Sequence, residues 1–417
     1  MQEFVSAGPH DTATPTTDEA LDAKPVPVRE SARIEDIDVI RGAALFGVLM
    51  MNLVDAFRVP IVFAGDFPPA PDRLNRILQH VLDIVVAGKA YTLFSLLFGV
   101  GLGIFLERAS ARGPGASRLL ARRLLILGAF GLAHMIFIWN GDVLFGYAVA
   151  GLIALPLIRL RPAILLTIAV AMYAVFPLVR WRYPALLPPP GPDAAQRLQA
   201  AYALYGHGSY ADILASRAGE QWRYGLRYDV IAGVPLNLTN ILIGAVVWRS
   251  EVVRHVDRYR RALWWMVAIG IALGAGFAIH REFGTRPATF FGRMLGRAGI
   301  HMTMTAFGLG YGAGLLLLLR RPRVRAVLLH LAPLGRMAFT NYLTESIIFS
   351  TLFYGYGFAL MGKVSVAVAV VIGFAVYALQ GVFSAHWLRR FRFGPFEWIW
   401  RSLTYGTFMR NSRRTLI

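Results

Sequence analysis

The chain has 417 residues, 56% of them hydrophobic and only 16% charged, with no cysteine and a formal net charge of +19. A soluble chain of this length spends more charge on its surface, and the lack of cysteine excludes disulfides, thiolate metal sites and a cysteine nucleophile. The basic excess lies in short segments between apolar runs and not in a separate basic domain, so it reads as membrane topology and not as nucleic-acid binding.

Residues 1–32 are rich in Pro, Thr, Ala and Asp and read as a disordered tail without a cleavable signal pattern. Apolar runs follow at about 39–59, 83–105, 120–138, 142–158, 163–179, 229–248, 262–280, 296–319, 335–359 and 364–387. Most approach the roughly 20 residues that cross a bilayer core. The run 83–105 has an ambiguous start and contains Lys89, and 163–179 is short for a straight span. Arg320, Arg321, Arg323, Arg325 and the basic tail mark one side of the membrane as cytoplasmic. The fold expected is an all-α, polytopic integral membrane bundle of about ten transmembrane helices, with both termini cytoplasmic. Its membrane domain covers 33–387 and carries an extracytoplasmic loop, 180–227. From Asp193 onward that loop can form amphipathic helices on the outer surface. Residues 388–417 form a basic cytoplasmic tail with an interfacial aromatic helix around Phe396–Leu403, where Glu397 and Arg401 stand one turn apart.

Ionisable groups inside spans are costly unless paired or wet, so they are the first places to seek function. In the first run, Arg41 and Asn52 differ by about 20° at 100° per residue, and with Asp38 and Asp55 they fill an arc of about 100°. Such a stripe either ties helices together or lines a substrate site. The third run opens with Arg122 and Arg123 and carries His134, followed by the turn Trp139–Asp142. A histidine fixed by an aspartate can act as a general base, and the same pair can equally order a helix turn. Farther on, Arg336 precedes Asn341 and Glu345, which share one helix face. Paired with Arg336, Lys89 or His134, Glu345 stays charged; alone it holds its proton. No H-E-x-x-H, Walker or dinucleotide-binding motif is present, so no metal and no tightly bound cofactor is expected.

These polar segments carry a resemblance. The motifs are Ile37–Gly47 with Met51-Asn52, Gly88-Lys89 with Tyr91–Gly99, Arg122-Arg123-Leu124 with His134 and Gly141–Leu144, Gly335–Tyr342, and Phe393–Tyr405. In this order they resemble the bacterial membrane family called DUF418, or YeiB-like. That family looks like a branch of the transmembrane acyltransferases, which include the acyltransferase-3 and heparan N-acetyltransferase types. The resemblance implies a ten-helix core in the bacterial cytoplasmic (inner) membrane, with acetyl groups passing from cytoplasmic acyl-CoA to extracytoplasmic sugars. Asp38, Arg41 and Gly42 match the first-helix pattern. Two departures stand out: Asn52 lies where acyltransferase-3 enzymes commonly have histidine, and Glu345 where the family often has glutamine.

The leading expectation is therefore an acyltransferase. Acyl-CoA is its donor, met by Arg41, Arg122 and Arg123, with Arg336 as a further donor-binding or structural arginine. His134 acts as base with Asp142 beside it, and Asn52 donates to the oxyanion. The acceptor is an extracytoplasmic sugar or lipid-linked hydroxyl or amine. A transporter of a small metabolite, lipid precursor or ion is the alternative, using Asp55, Lys89, Asn341 and Glu345 as polar intramembrane groups. A non-catalytic scaffold or sensor is a third. Membrane lipids are expected partners, nucleic acid is not, and a homodimer is among the assemblies left open.

Overall fold

The computed structural model describes residues 34–60, 72–111, 113–182, 194–220, 233–283 and 289–413. The expected tail 1–32 lies outside them, as do parts of the 180–227 loop. The described chain is all-helical, with one isolated bridge between Phe391 and Ser412. Its helices are α1 (Glu35–Asn52), α2 (Arg73–Val85), α3 (Lys89–Ser110), α4 (Ala116–Phe137), α5 (Leu144–Leu157), α6 (Pro162–Arg182), α7 (Ala194–His207) and α8 (Tyr210–Glu220). The second half holds α9 (Val234–Arg249), α10 (Arg260–Phe283), α11 (Phe290–Leu318), α12 (Pro322–Leu328), α13 (Ala332–Arg336), α14 (Ala338–Phe353), α15 (Val366–Arg390) and α16 (Pro395–Tyr405).

Among the described residues, five helical stretches are long and apolar enough to cross a membrane: Glu35–Phe57, Arg73–Ser110, Ala116–Phe137, Ala298–Leu318 and Val366–Arg390. Outward-facing Leu125, Val170, Trp265, Val371, Leu379 and Val382 are all exposed, which suits a surface that meets hydrocarbon and not water. The protein is thus a helical membrane protein.

Two expected runs are divided. The run 83–105 is split between α2 and α3, because Gly88 takes a left-handed φ of 72° at the joint and ends one helical path before the next begins. The run 335–359 is split at Met337, whose φ of −110° and ψ of 28° separate α13 from α14. Elsewhere α6 and α11 extend beyond their apolar runs. The helices expected on the outer surface, α7 and α8, form, but they cap the end of the bundle. Tyr205, Ile213 and Arg217 are buried there, and the Tyr205 carbonyl accepts the Gly355 N–H at 2.8 Å. Their apolar residues find a better partner in Phe57, Trp139 and Tyr354 than at a lipid surface.

The hub is α1, whose apolar window is 78% buried against 28% for α15. Its acidic first turn suits the helix N-terminus, and Asp36 is held by Arg320 and Arg325. Small residues let its neighbours close in. A Cβ at Gly335 would lie 1.8 Å from the Asp38 carbonyl oxygen, and one at Gly42 would lie 2.3 Å from that of Leu331. The Arg41-Gly42 and Gly335-Arg336 motifs therefore interlock backbone to backbone. In the same way α3 and α9 meet through Gly99 and Gly244. Because backbone cannot yield as a side-chain tip does, Gly335→Ala is expected to destabilise by at least about 1–3 kcal/mol. A lowered melting temperature and a reduced monodisperse fraction in detergent are the readouts; an unchanged melting curve counts against the interlock.

Candidate functional site

A cavity of about 770 Å³ opens at the end of the bundle where α1 begins and α3 ends. Seven arginines line it: Arg41, Arg108, Arg118, Arg122, Arg123, Arg336 and Arg401, against two carboxylates, Asp38 and Glu397. Its lining follows α1 from Ile34 to Val48 and α3 from Arg108 back to Tyr91. At 1.5 Å per residue these stretches are about 21 Å and 25 Å long, most of the depth of a bilayer core. Beyond the arginines the walls are apolar, with Leu45, Val48, Phe94, Leu97, Phe98 and Leu127, and the deep end is closed by Tyr91, Tyr147 and Tyr342.

The local reasons are legible. On α1, Arg41 Nη1 lies 3.0 Å from Asp38 Oδ1, one turn away, so the expected pair forms at the cavity wall. On α4, the Arg123 guanidinium stacks 3.6 Å over Trp400, whose indole N–H donates to the Arg123 carbonyl at 2.9 Å. The aromatic segment α16 thus forms a wall of the cavity by packing on α4. The Glu397 carboxylate reaches the N-terminus of α14 and accepts the N–H groups of Phe339 at 2.8 Å and Thr340 at 3.1 Å, together with the Thr340 hydroxyl. It satisfies orphan donors of that helix from another element, a role the spacing to Arg401 did not reveal.

Burial pushes the Glu397 carboxyl up from its ordinary range, partly offset by the hydrogen bonds from Thr340 and the backbone. A folded value above the unfolded one, about 4.3, means that its contribution is full below that pH and is lost as pH rises through the folded value. Glu397→Gln does not titrate. Its deficit in melting temperature relative to wild type is therefore expected to be largest near pH 4 and to shrink toward pH 7. A gap that widens with pH contradicts this assignment.

Just past the tyrosine floor, His134 Nδ1 lies 2.8 Å from Asp142 Oδ2, and both side chains are buried. Asp142 Oδ1 accepts the Phe145 N–H at 2.8 Å at the start of α5, which fixes the carboxylate. A carboxylate only accepts, so an imidazole proton sits on Nδ1, which in the neutral ring leaves Nε2 as the acceptor. Nε2 has no hydrogen-bond partner among the described residues. The Tyr342 ring stands between this pair and the cavity, 5.2 Å from the imidazole centroid.

The other expected site residues separate. Asn52 is buried one turn beyond the last α1 residue of the lining, and its Oδ1 accepts the Tyr91 hydroxyl proton. Asp55 turns toward α2 and accepts from Gln79 Nε2 at 3.2 Å. Lys89 Nζ donates to the Asp83 carbonyl at 2.6 Å. Asn341 ties helices together: its Nδ2 donates to Ser384 at 3.1 Å, and its carbonyl accepts from Gln380 at 3.0 Å. Glu345 is buried, and neither carboxylate oxygen meets a donor among the described residues. Of the two settings open to Glu345, paired or alone, the described residues show the second: Lys89 donates to the Asp83 carbonyl and His134 pairs with Asp142. Tyr91, Tyr147, Tyr342, Arg108 and Arg118 were not expected at the site. A tyrosine in an apolar helix is as good a packing or interfacial residue as a site residue, so its type carries no signal by itself.

Fold and cavity define a polytopic helical membrane protein with an arginine-lined chamber open at one end. A family model described as a protein of unknown function (DUF418) matches residues 246–407. "Uncharacterized protein YxaH" of Bacillus subtilis (strain 168) is 32% identical over 409 residues, covering 94% of this chain and 99% of its own length. "Uncharacterized protein YeiB" of Escherichia coli (strain K12) is 30% identical over 390 residues, covering 88% and 95%. An "Uncharacterized 39.9 kDa protein in amylase 3'region" of Bacillus acidopullulyticus is 28% identical over 406 residues. The chain belongs to the DUF418, YeiB-like family.

Proposed function

We propose that the protein is a membrane acyltransferase of the bacterial cytoplasmic membrane, using acyl-CoA as donor and an extracytoplasmic hydroxyl or amine as acceptor. The observation that carries the reading is a cavity lined by seven arginines, with a buried His–Asp pair against the Tyr342 ring of its wall. Phosphates of the donor nucleotide meet the arginines, where two carboxylates leave a large positive excess. The pantetheine arm runs between Phe94, Phe98 and Leu127 and brings the thioester to the tyrosine floor. His134 Nε2 takes the acceptor proton as the acceptor oxygen or nitrogen attacks the thioester carbon, and Asp142 steadies the imidazolium. Collapse breaks the C–S bond, and the proton passes from His134 to the departing thiolate.

In this reading ten helices span the bilayer, α1, α3–α6, α9–α11, α14 and α15, and the arginine-lined mouth and both termini face the cytoplasm. A transport route needs an opening at the opposite end, where Phe57, Trp139, Phe349, Phe353 and Tyr354 pack into one buried cluster; this favours a chamber over a conduit. Binding of labelled acyl-CoA to purified protein tests the proposal, with the donor lacking its 3′-phosphate as comparison. Tight binding weakened by loss of that phosphate is expected. Absence of both binding and thioester turnover over a broad acceptor set overturns the reading.

A further inference from the structure

Three tyrosines close the deep end of the cavity, and their hydroxyls are not equivalent. The Tyr91 hydroxyl donates to Asn52 Oδ1. That of Tyr147 donates to the Tyr91 carbonyl at 3.3 Å. The Tyr342 hydroxyl instead accepts, from the Val143 N–H at 3.3 Å, and its own proton goes to no acceptor among the described residues. Tyr342 is buried in the wall, lines the cavity, and lays its ring against His134. It therefore joins the cavity to the His134–Asp142 pair, and its accepting bond to Val143 fixes the turn that carries Asp142.

We infer that Tyr342 is a catalytic residue whose O–H donates to the carbonyl oxygen of the bound acyl thioester and holds the oxyanion of the tetrahedral intermediate. This rests on the acyl-transfer reading of the cavity. Asn52, expected for that role from its place in the first helix, does not line the cavity, whereas Tyr342 does. A hydroxyl that already accepts a backbone N–H is held in place, and the cooperative polarisation makes it a better donor. In the reaction the acceptor's lone pair forms the new bond to the carbonyl carbon, and the C=O π electrons move onto oxygen, where the Tyr342 proton is waiting. His134 Nε2 receives the acceptor's proton. As the C=O bond re-forms, the C–S pair leaves on sulfur and takes the proton back from His134. Tyr342 keeps its own proton throughout, as an oxyanion-hole donor does.

The test uses full-length protein in detergent or nanodiscs and acyl-CoA labelled with ¹³C at the carbonyl. Difference infrared spectroscopy reads the thioester C=O band of the bound donor, without turnover. In wild type the band is expected below its position in free donor. In Tyr342→Phe the donor still binds within about twofold, the band returns to its free position, and kcat falls about 10²–10³-fold with little change in KM. A fluorinated tyrosine placed at position 342 keeps the ring and the hydroxyl; its more acidic proton lowers the band further, and this arm stands if the Phe variant fails to fold. An unshifted band in wild type, or one that ignores both replacements, overturns the assignment while donor binding leaves the acyltransferase reading in place. Failure of wild type to bind donor at all removes both.

Discussion

Gly101→Trp is expected to abolish donor binding and leave the fold standing. Gly101 lies midway along α3 and lines the cavity, and a Cβ built there meets nothing within 4 Å. Along the helix it is about 10 Å from Arg108 at the mouth and about 15 Å from Tyr91 at the floor. An indole at that point plugs the chamber between the arginines and the tyrosines. Replacing a helix-interior glycine by alanine gains roughly 0.5–1 kcal/mol, and tryptophan keeps a smaller part of that gain. The expected result is a loss of acyl-CoA affinity of about 100-fold or more, with a melting temperature equal to or slightly above wild type. Gly99, two residues away, offers the contrast. A side chain there would strike the Ile241 backbone, so Gly99→Trp should yield little folded protein. Full donor affinity in a folded Gly101→Trp variant would show that the ligand does not use this chamber.

His134→Gln separates chemistry from packing. The amide keeps a donor for Asp142 and a volume close to that of imidazole, so the buried carboxylate is not left unpartnered. It cannot take up a proton. Donor affinity, which the proposal assigns to the arginines lining the cavity, is expected to stay within a few-fold, while transfer falls by about 100-fold or more. If His134 is the base proposed, kcat and kcat/KM fall together. A well-folded variant with wild-type turnover would return His134 and Asp142 to the ordering of the α4–α5 turn, where the Asp142 bond to Phe145 already places them. If folded protein is lost instead, the pair is a structural clasp, and the base must be sought among other groups at the floor.

The two experiments act on opposite ends of one chamber, so together they divide the site. A plug that blocks binding and a base change that spares it fit a donor cavity leading to a reactive floor. A plug without effect, joined to a base change with a large one, would instead place the reactants on the far side of Tyr342.

The membrane class followed from the residues alone, because repeated runs of about 20 mostly apolar residues match the thickness of a bilayer core. The Asp38–Arg41 pair was legible for a similar reason: both lie on one helix, three residues apart, and local geometry settles their contact. His134 and Asp142 are eight residues apart across a tight turn, still close enough for the chain itself to bring them together. Arg122 and Arg123, given as donor arginines by the resemblance, line the cavity, which leaves their role to the binding experiment.

What lay beyond that reach depended on helices distant in the chain. Glu397 caps a helix that begins some 60 residues earlier, and Tyr342 meets Val143 across 199 positions. Glu345 has the same composition-level promise as Asp38, yet two of its candidate partners, Lys89 and His134, bond to Asp83 and Asp142 instead. Neighbouring elements sort the polar stripe expected along the first run: Asp38 and Arg41 line the chamber, Asn52 accepts from Tyr91, and Asp55, in the π-helical turn Leu53–Phe57 just past α1, accepts from Gln79. Sequence determines which residues must leave water and which face of a helix they share, since both follow from hydropathy and a 100° step. Only tertiary structure decides which of those faces meet, because that choice rests on backbone approaches such as Gly42 to Leu331 and Gly335 to Asp38, made between segments whose spacing along the chain carries no trace of the contact.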